Sequence, residues 1–518
     1  MRRILVILLL SLAYAGCGRT GRVDVTPEPP PPARPETTTT EAPDDVGPGR
    51  PRPSAPPTRT PSPPVDPQTQ PRKGGTIRFL ATDRSIHEAV IHSNVSEPLQ
   101  PGGLLLSWTE PRPSSPCWEF ELNGRGAYPD GTPVMAEDLV SSWEKGLNDP
   151  FAEHQWLLDP VTGRSEPAGE RTPAAERLRP RGQVLRVCPR TPTPDFPARL
   201  AHPALWLRRV AQRTGLSYGP GPFRAEPDGT LTPNPGFEGD GPYVDDVEPL
   251  EVEGNPALLL RLGDAHAAVL FGREANALIA DASDSLEVER LPSWDRTYFL
   301  WLDPAKRWIN DPVFRRWISR AIDRDEMIDY LFDGHGERAF SLSHGGSNVP
   351  MYEPLQPDRP LSPMSVPRLE LLYDEDDPYA ETVAQRVRAV LETQDVELSV
   401  TARSRGAIRK ALSEGDVEMA LLAHRPAVED PLLATLGSVW WLGDGAGEAL
   451  ERLKAASEMK GPADRARKAW EAEELLLEDA RVIPLIRLHA WYVRHTQLSG
   501  VARGPDGVLR FEEAWWRP

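Results

Sequence analysis

The sequence predicts an α/β fold, and three observations lead there. Residues 369–401 read as strand, helix, strand: LELLYD, a helix opened by Asp377 as N-cap and Pro378 as first helical residue, and then VELSV. Val383, Val387, Val390 and Leu391 recur at i, i+4, i+7 and i+8, an apolar stripe along one face of that helix. Two strands joined through a helix by short connections define a parallel βαβ unit. A second helix follows over 405–414, and then VEMALLAH, whose poor alternation marks a strand buried on both faces. The loop after it, 424–431, falls at the carboxyl end of a strand, where open α/β sheets place their ligands.

From the beginning of the chain, MRRILVILLLSLAYAGCG combines a basic n-region, Arg2 and Arg3, with an apolar run over Ile4–Leu12 too short to span a bilayer. Either Cys17 is the lipidated first residue of the mature protein, or cleavage follows the A-x-A pattern Ala13-Tyr14-Ala15; both readings export the chain. Residues 18–73, including PEPPPPARPETTTTEAP, lack the apolar side chains that would offset ordering and read as an extended tether. The folded body then begins near Gly74, with GGTIRFLAT as its first strand.

Composition excludes several classes. The 518 residues are 39% hydrophobic, enough for two or three domains with cores. Asp and Glu number 77 against 59 Lys and Arg, a net charge of −18 without basic runs, which argues against nucleic acid as partner. GxSxG, HExxH and P-loop patterns are missing, and His87 and His92 do not have zinc spacing, so no catalytic residue, metal site or cofactor is expected. Apart from Cys17 the cysteines are Cys117, opening CWEFEL, and Cys188, closing VLRVC. In an oxidising compartment two such residues pair; the alternative is two buried thiols.

The stretch YPDGTPVMAEDLVSSWEKG, 128–146, is a turn running into a helix. Asp130-Gly131 supplies the turn and Pro133 keeps Thr132 extended. Leu139, Trp143 and Leu147 form a stripe at i, i+4, i+8, and Glu137 and Asp138 sit in the first turn, where the helix dipole favours anions. These features are structural and carry no ligand contact by themselves. Together with the preceding WEFELNGRGA, this stretch resembles the signature of the family 5 extracellular solute-binding proteins of ABC importers, with Asn123 and Met135 in place of the usual Arg and capping Thr. LLLSWTEP (104–111), GPGPFRAEPDGTLTPNPGFEGDGPYVDDVE (219–248), DPVFRRWISRAIDRDEMIDYLFDGHGERA (311–339), DPLLATL (430–436) and ARVIPLIRLHAWYVRHTQLSG (480–500) resemble further landmarks of the family, in order.

The resemblance implies a two-lobed, class II periplasmic-binding-protein clamshell with an extra small domain in the first lobe. Residues 1–17 would be the signal and 18–73 the tether. The first lobe would take 74–92, 201–291 and 488–518, the small domain 93–200, and the second lobe 292–487, with crossings near 291–297 and 485–490. It implies a monomer that captures a small-molecule or peptide-like ligand and meets an ABC permease, held to the membrane by the lipid on Cys17. The family's amine-anchoring aspartate, four residues before the proline of the acidic-Pro pair, falls on Ala427, and His424 and Arg425 add positive potential nearby. Candidate ligand-binding residues are Arg425, Asp430, Trp440, Trp441, Tyr218, Trp294 and His489, the aromatic ones having core packing as their plainer role. The alternative function is a transport-inactive envelope sensor or interaction protein.

Overall fold

A computed structural model describes residues 70–518 apart from 83, 101–102, 148–153, 164–173, 211–216, 252–254, 281–283, 343–367, 429 and 505–506. Cys17 and residues 18–69 lie outside the described residues. The body opens with β1 (Thr76–Ala81) and α1 (Arg84–Val95). Next come β2 (Leu105–Thr109), β3 (Trp118–Leu122), α2 (Ala136–Leu147), β4 (Leu178–Arg181) and β5 (Val184–Val187). Strands β6 (Phe223–Ala225), β7 (Leu231–Pro233), β8 (Asp246–Glu251), β9 (Ala267–Phe271) and β10 (Leu286–Arg290) follow. The second large sheet takes β11 (Arg296–Leu302), β12 (Gly336–Arg338), β13 (Arg368–Asp374), β14 (Glu397–Arg403), β15 (Met419–His424) and β16 (Val482–Leu488). Among these strands lie α3 (Ala380–Glu392), α4 (Arg405–Glu414), α5 (Pro431–Val439), α6 (Glu448–Ser457) and α7 (Pro462–Glu478), and β17 (Ala490–His495) returns to the first sheet.

The first lobe is built on a seven-stranded sheet in the order β10-β17-β9-β1-β8-β7-β6, and the second on a six-stranded sheet in the order β12-β16-β11-β15-β13-β14. The small sheet β2-β3-β5-β4 stands apart from both. The chain passes between the large sheets at Leu291–Asp295 and again at His489, inside the two stretches read as crossings above. Strand β9, AAVLF, and strand β11, RTYFLWL, are buried at every position, as expected for central strands covered on both faces.

The expected βαβ unit is present: β13 and β14 run parallel, from Arg368 opposite Glu397 to Asp374 opposite Arg403. Regular helix begins at Ala380, two residues after Pro378, while Asp377 makes the capping contacts expected of it. Asp377 still accepts from the Tyr379 and Ala380 amides, but it also binds Arg296 and the Tyr298 hydroxyl on β11. VEMALLAH is a strand from Met419 onward, parallel to β13 on one side and antiparallel to β11 on the other, so the sheet is mixed rather than purely parallel. At the YPDG turn, Gly131 adopts φ +80°, a conformation open to glycine, and its amide donates to the Tyr128 carbonyl. Helix α2 lacks the usual capping threonine, but the Asp138 carboxylate reaches back to the Met135 amide at 3.0 Å, half of a capping box.

Cys117 and Cys188 form a disulfide between the adjacent ends of β3 and β5. One apolar core runs through both large sheets, including Phe79 and Phe271 of the first and Tyr298, Leu300 and Ile486 of the second. A second core joins the small sheet to helices of the second lobe: Phe120, Trp156 and Phe196 share it with Leu432, Leu436 and Leu453. At this seam Arg199, 1% exposed, pairs with Asp195 at 3.1 Å and donates to the Trp156 carbonyl at 2.8 Å and to Ser457 Oγ on α6 at 3.0 Å.

Candidate functional site

A cavity of about 560 Å³ opens where the two lobes and the small domain meet. Helix α1 turns one face toward it: Ser85, Glu88, Ala89 and His92 lie at i, i+3, i+4 and i+7, the spacing that aligns side chains on a helix. The small domain supplies Ser142 and Trp143 of α2 and the segment around His154 and Trp156; His202 and Arg208 follow from the chain that leaves it. The second lobe closes the far wall with Arg296 at the start of β11, Arg405 at the start of α4, the segment Ala423–Val428 after β15, and the Leu433, Ala434 and Gly437 face of α5. Trp294, in the first crossing, stands between the walls.

Each arginine of the second lobe is held in place by a named partner. Arg296 donates to Asp377 at 3.1 Å and, across the cavity, to the Ser85 hydroxyl of α1 at 3.3 Å. Tyr298 donates its hydroxyl to the same carboxylate at 2.8 Å, and burial followed by the Asp377 charge pushes its pKa well up. Arg405 pairs with Asp374 at 2.9 Å. The Arg425 guanidinium lies 4.4 Å from the Trp294 ring centroid, a cation–π contact, while the Trp294 indole N–H is fixed by the Gly507 carbonyl at 2.8 Å.

Histidines line the opposite side. His92 Nε2 sits 2.7 Å from the Pro203 carbonyl, which can only accept, so the proton is on Nε2 and Nδ1 accepts from the Ser96 hydroxyl. Burial, and then the nearby Arg208 charge, lower the His92 pKa to about 4, which keeps it neutral near pH 7. His154 and His202 pack at a tilt of 50° with ring centroids 4.8 Å apart. Among the described residues no group of three or more His, Cys, Asp or Glu has the arrangement to hold a metal.

Of the residues singled out from sequence, Arg425 and Trp294 line this cavity, as does Ala427. The other described ones are engaged elsewhere. Asp430 is the N-cap of α5, accepting from the Leu432 and Leu433 amides at 2.9 and 3.2 Å, and it also binds Arg465. Trp440 ends α5 and packs against the second core. Tyr218 stacks edge-on against Tyr128, 6.0 Å between centroids. His489 sits in the second crossing, its amide bonded to the His335 carbonyl. The side chain of Trp441 lies outside the described residues. The cavity adds Trp143, assigned to the core alone from sequence, and also His92, Trp156, Arg208, Arg296 and Arg405. The helical spacing of Ser85, Glu88 and His92 was a usable signal, whereas nothing local links His154 to His202.

The two crossings are tied to one carboxylate. Asp295 accepts from both terminal nitrogens of Arg290, at 2.5 and 2.6 Å, and from the Ala490 amide at 3.0 Å. Arg290 in turn donates to the Ala490 carbonyl. Replacing Asp295 with alanine strips a mostly buried guanidinium and a buried amide of their acceptor. The expected loss is about 2–3 kcal/mol, the value of hydrogen bonds to a charged group, read from urea unfolding. A loss below about 0.5 kcal/mol would show that the knot is dispensable.

Two α/β lobes joined by paired crossings, with a cavity between them, define a clamshell. Residues 102–436 match the model of the bacterial extracellular solute-binding proteins, family 5 (middle), and the chain belongs to that family. It is 23% identical over 447 residues to the probable D,D-dipeptide-binding periplasmic protein DdpA of Escherichia coli K12, covering 78% of this chain and 82% of that one. Two solved structures share the fold at TM-score 0.68. One is the E. coli murein tripeptide-binding protein MppA, 16% identical, covering 86% of this chain and 99% of that one. The other is AgaA of Agrobacterium tumefaciens R10 in complex with agropinic acid, 15% identical, with the same coverage.

Proposed function

We propose that this protein is exported, captures a small solute in the cavity between its lobes and delivers it to the permease of an ABC importer. The lobes would divide as read from the sequence: 74–92, 201–291 and 488–518 in the first, 93–200 in the small domain, 292–487 in the second. The observation that supports capture most is the make-up of the cavity wall: α1 from one lobe, the β11, β15 and α5 ends from the other, with Trp294 of the crossing between. Such a site changes shape when the lobes rotate, so a bound solute favours the closed form through its differential affinity. The experiment is a thermal-shift screen of the purified protein against peptides, sugars, organic acids and metal chelates. A ligand at 100 times its Kd adds about 2.7 kcal/mol of stability. A broad screen in which nothing raises the Tm, with no uptake phenotype on deletion of the gene, would overturn capture.

A second reading, a sensor or interaction protein that no longer feeds transport, is favoured by one observation. Ala427 lines the cavity where the related binders' amine anchor is expected, so peptide transport of the usual kind lacks its handle. The membrane anchor is proposed to be a lipid on Cys17. Mass spectrometry of the mature N-terminus is expected to show a diacyl or triacyl cysteine, and an unmodified start at Gly16 would refute it.

A further inference from the structure

We infer that the solute held in this cavity is a small anion without a free amino group, bound by a field of guanidinium groups led by Arg425 and Arg208. This rests on the capture reading and specifies its ligand. The cavity wall and the rest of the protein differ in sign. The whole chain carries a net charge of −18, yet among the described residues the charged side chains lining the cavity are Arg208, Arg296, Arg405 and Arg425 against Glu88 alone. Glu88 is itself paired with Arg84 at 2.8 Å. A cleft lined by one sign of charge focuses the field and concentrates ligands of the other sign.

The wall is also prepared for an anion in detail. Asp377 and Asp374 anchor Arg296 and Arg405, and neither carboxylate lines the cavity. Arg425 is laid over Trp294, which restrains a planar donor fork suited to carboxylate or phosphate. Those supports organise donors before a ligand arrives, which lowers the ordering penalty of binding.

An ammonium group meets the opposite situation. The segment 424–428 offers His424, Arg425, Pro426, Ala427 and Val428, none of them acidic, and Glu429, the next residue in the sequence, lies outside the described residues. The next acid described in that loop, Asp430, has its two oxygens engaged by the α5 amides and by Arg465. A free amine placed against the described arginine wall would lose water and meet like charge, a combination that selects against cations. Trp143 and Trp156 add apolar surface to the cavity, and its volume falls in the range of small-molecule sites.

The test uses the purified mature protein and four sets of small probes, read by thermal shift and calorimetry. One set carries carboxylates without amines (citrate, glucarate, N-acetyl-Ala-Ala). A second carries phosphate monoesters (glycerol 3-phosphate, glucose 6-phosphate). A third carries free amines (Ala-Ala-amide, Ala-Ala, spermidine), and a fourth is neutral (glucose, maltose). Binding confined to the first two sets is expected, and which of the two binds separates carboxylate from phosphate recognition. For the best binder, Arg425→Gln and, separately, Arg208→Gln should each raise Kd about tenfold or more, with apo melting temperatures close to the parent. Kd should also rise with added NaCl. Binding only in the amine or neutral sets would overturn the anion inference while leaving solute capture standing. Unchanged Kd in both variants would overturn it as well. No binding in any set, together with a silent broad screen, would overturn capture and this inference together.

Discussion

Replacing Arg199 with alanine is expected to lower unfolding stability by about 3–5 kcal/mol, the usual result of removing one partner from a buried ion pair. Both side chains are out of water, Arg199 at 1% exposure and Asp195 at 0%. Alanine would leave the Asp195 carboxylate without its cation, the Trp156 carbonyl without its donor, and a void beside Ser457. Asp195 precedes the short helix Phe196–Leu200 but makes no cap to it, so its carboxylate serves the arginine. Lysine is no remedy, since one ammonium cannot serve acceptors arranged for a planar fork. Urea unfolding of the variant checks the figure through a shifted midpoint at an unchanged m-value. A loss under about 1 kcal/mol would show that the seam between the small domain and α6 is held by apolar contact alone.

Reducing the Cys117–Cys188 bond is expected to cost about 4 kcal/mol. The bridge closes 71 residues, and the chain-entropy model assigns a loop of that size roughly this much restriction of the unfolded state. The effect reaches beyond the small sheet, because Trp118 and Phe120 beside the bridge belong to the same core as Leu432 and Leu453 of the second lobe. Thermal unfolding with and without reductant measures it, and the double variant Cys117→Ser/Cys188→Ser should reproduce the reduced protein. Non-reducing peptide mapping should recover the two cysteines linked; two alkylatable thiols in the folded protein would overturn the bond.

The parts of the fold that were legible in the sequence are those where a periodicity repeats over a long run. Val383, Val387 and Leu391 of α3 are fully buried, and Leu139 and Trp143 of α2 nearly so, as their spacing required. Asp377 caps the turn into α3 as local rules indicate, accepting from the Tyr379 and Ala380 amides, but it also answers Arg296 and Tyr298, which lie 81 and 79 residues away. No local pattern reports such a partner. The strand VEMALLAH was recognised as buried, but its antiparallel neighbour β11 comes from more than a hundred residues upstream, and burial alone does not give direction.

The cavity was legible in part for the same reason. Arg425 follows a strand end, where α/β sheets expose their loops, and Trp294 stands at a crossing; both positions could be reasoned to. Trp440, Tyr218 and His489 are large or polar residues near the same landmarks, yet they satisfy packing and backbone needs instead. His92, His202 and Arg296 come together only when three remote segments close on one another, and their chemistry is a property of that assembly. Trp143 shows the limit of a helical stripe as evidence: it packs in the core, bonds the Leu205 carbonyl through its indole, and still shows one edge to the cavity.

The strand order of the first lobe carries a further consequence, one of timing. Strand β17, residues 490–495, lies between β9 and β10, and β10 has no other neighbour in its sheet. Until β17 is in place, β10 lacks its partner and the sheet of the first lobe keeps an open edge at β9. Pairings of such long range are slow to form, and the chain that awaits them remains pliable. Strands β6, β7, β8, β1 and β9 can pair from residues 76–271 alone, so what waits for residues 490–495 is the closing edge of the sheet, β17 with β10.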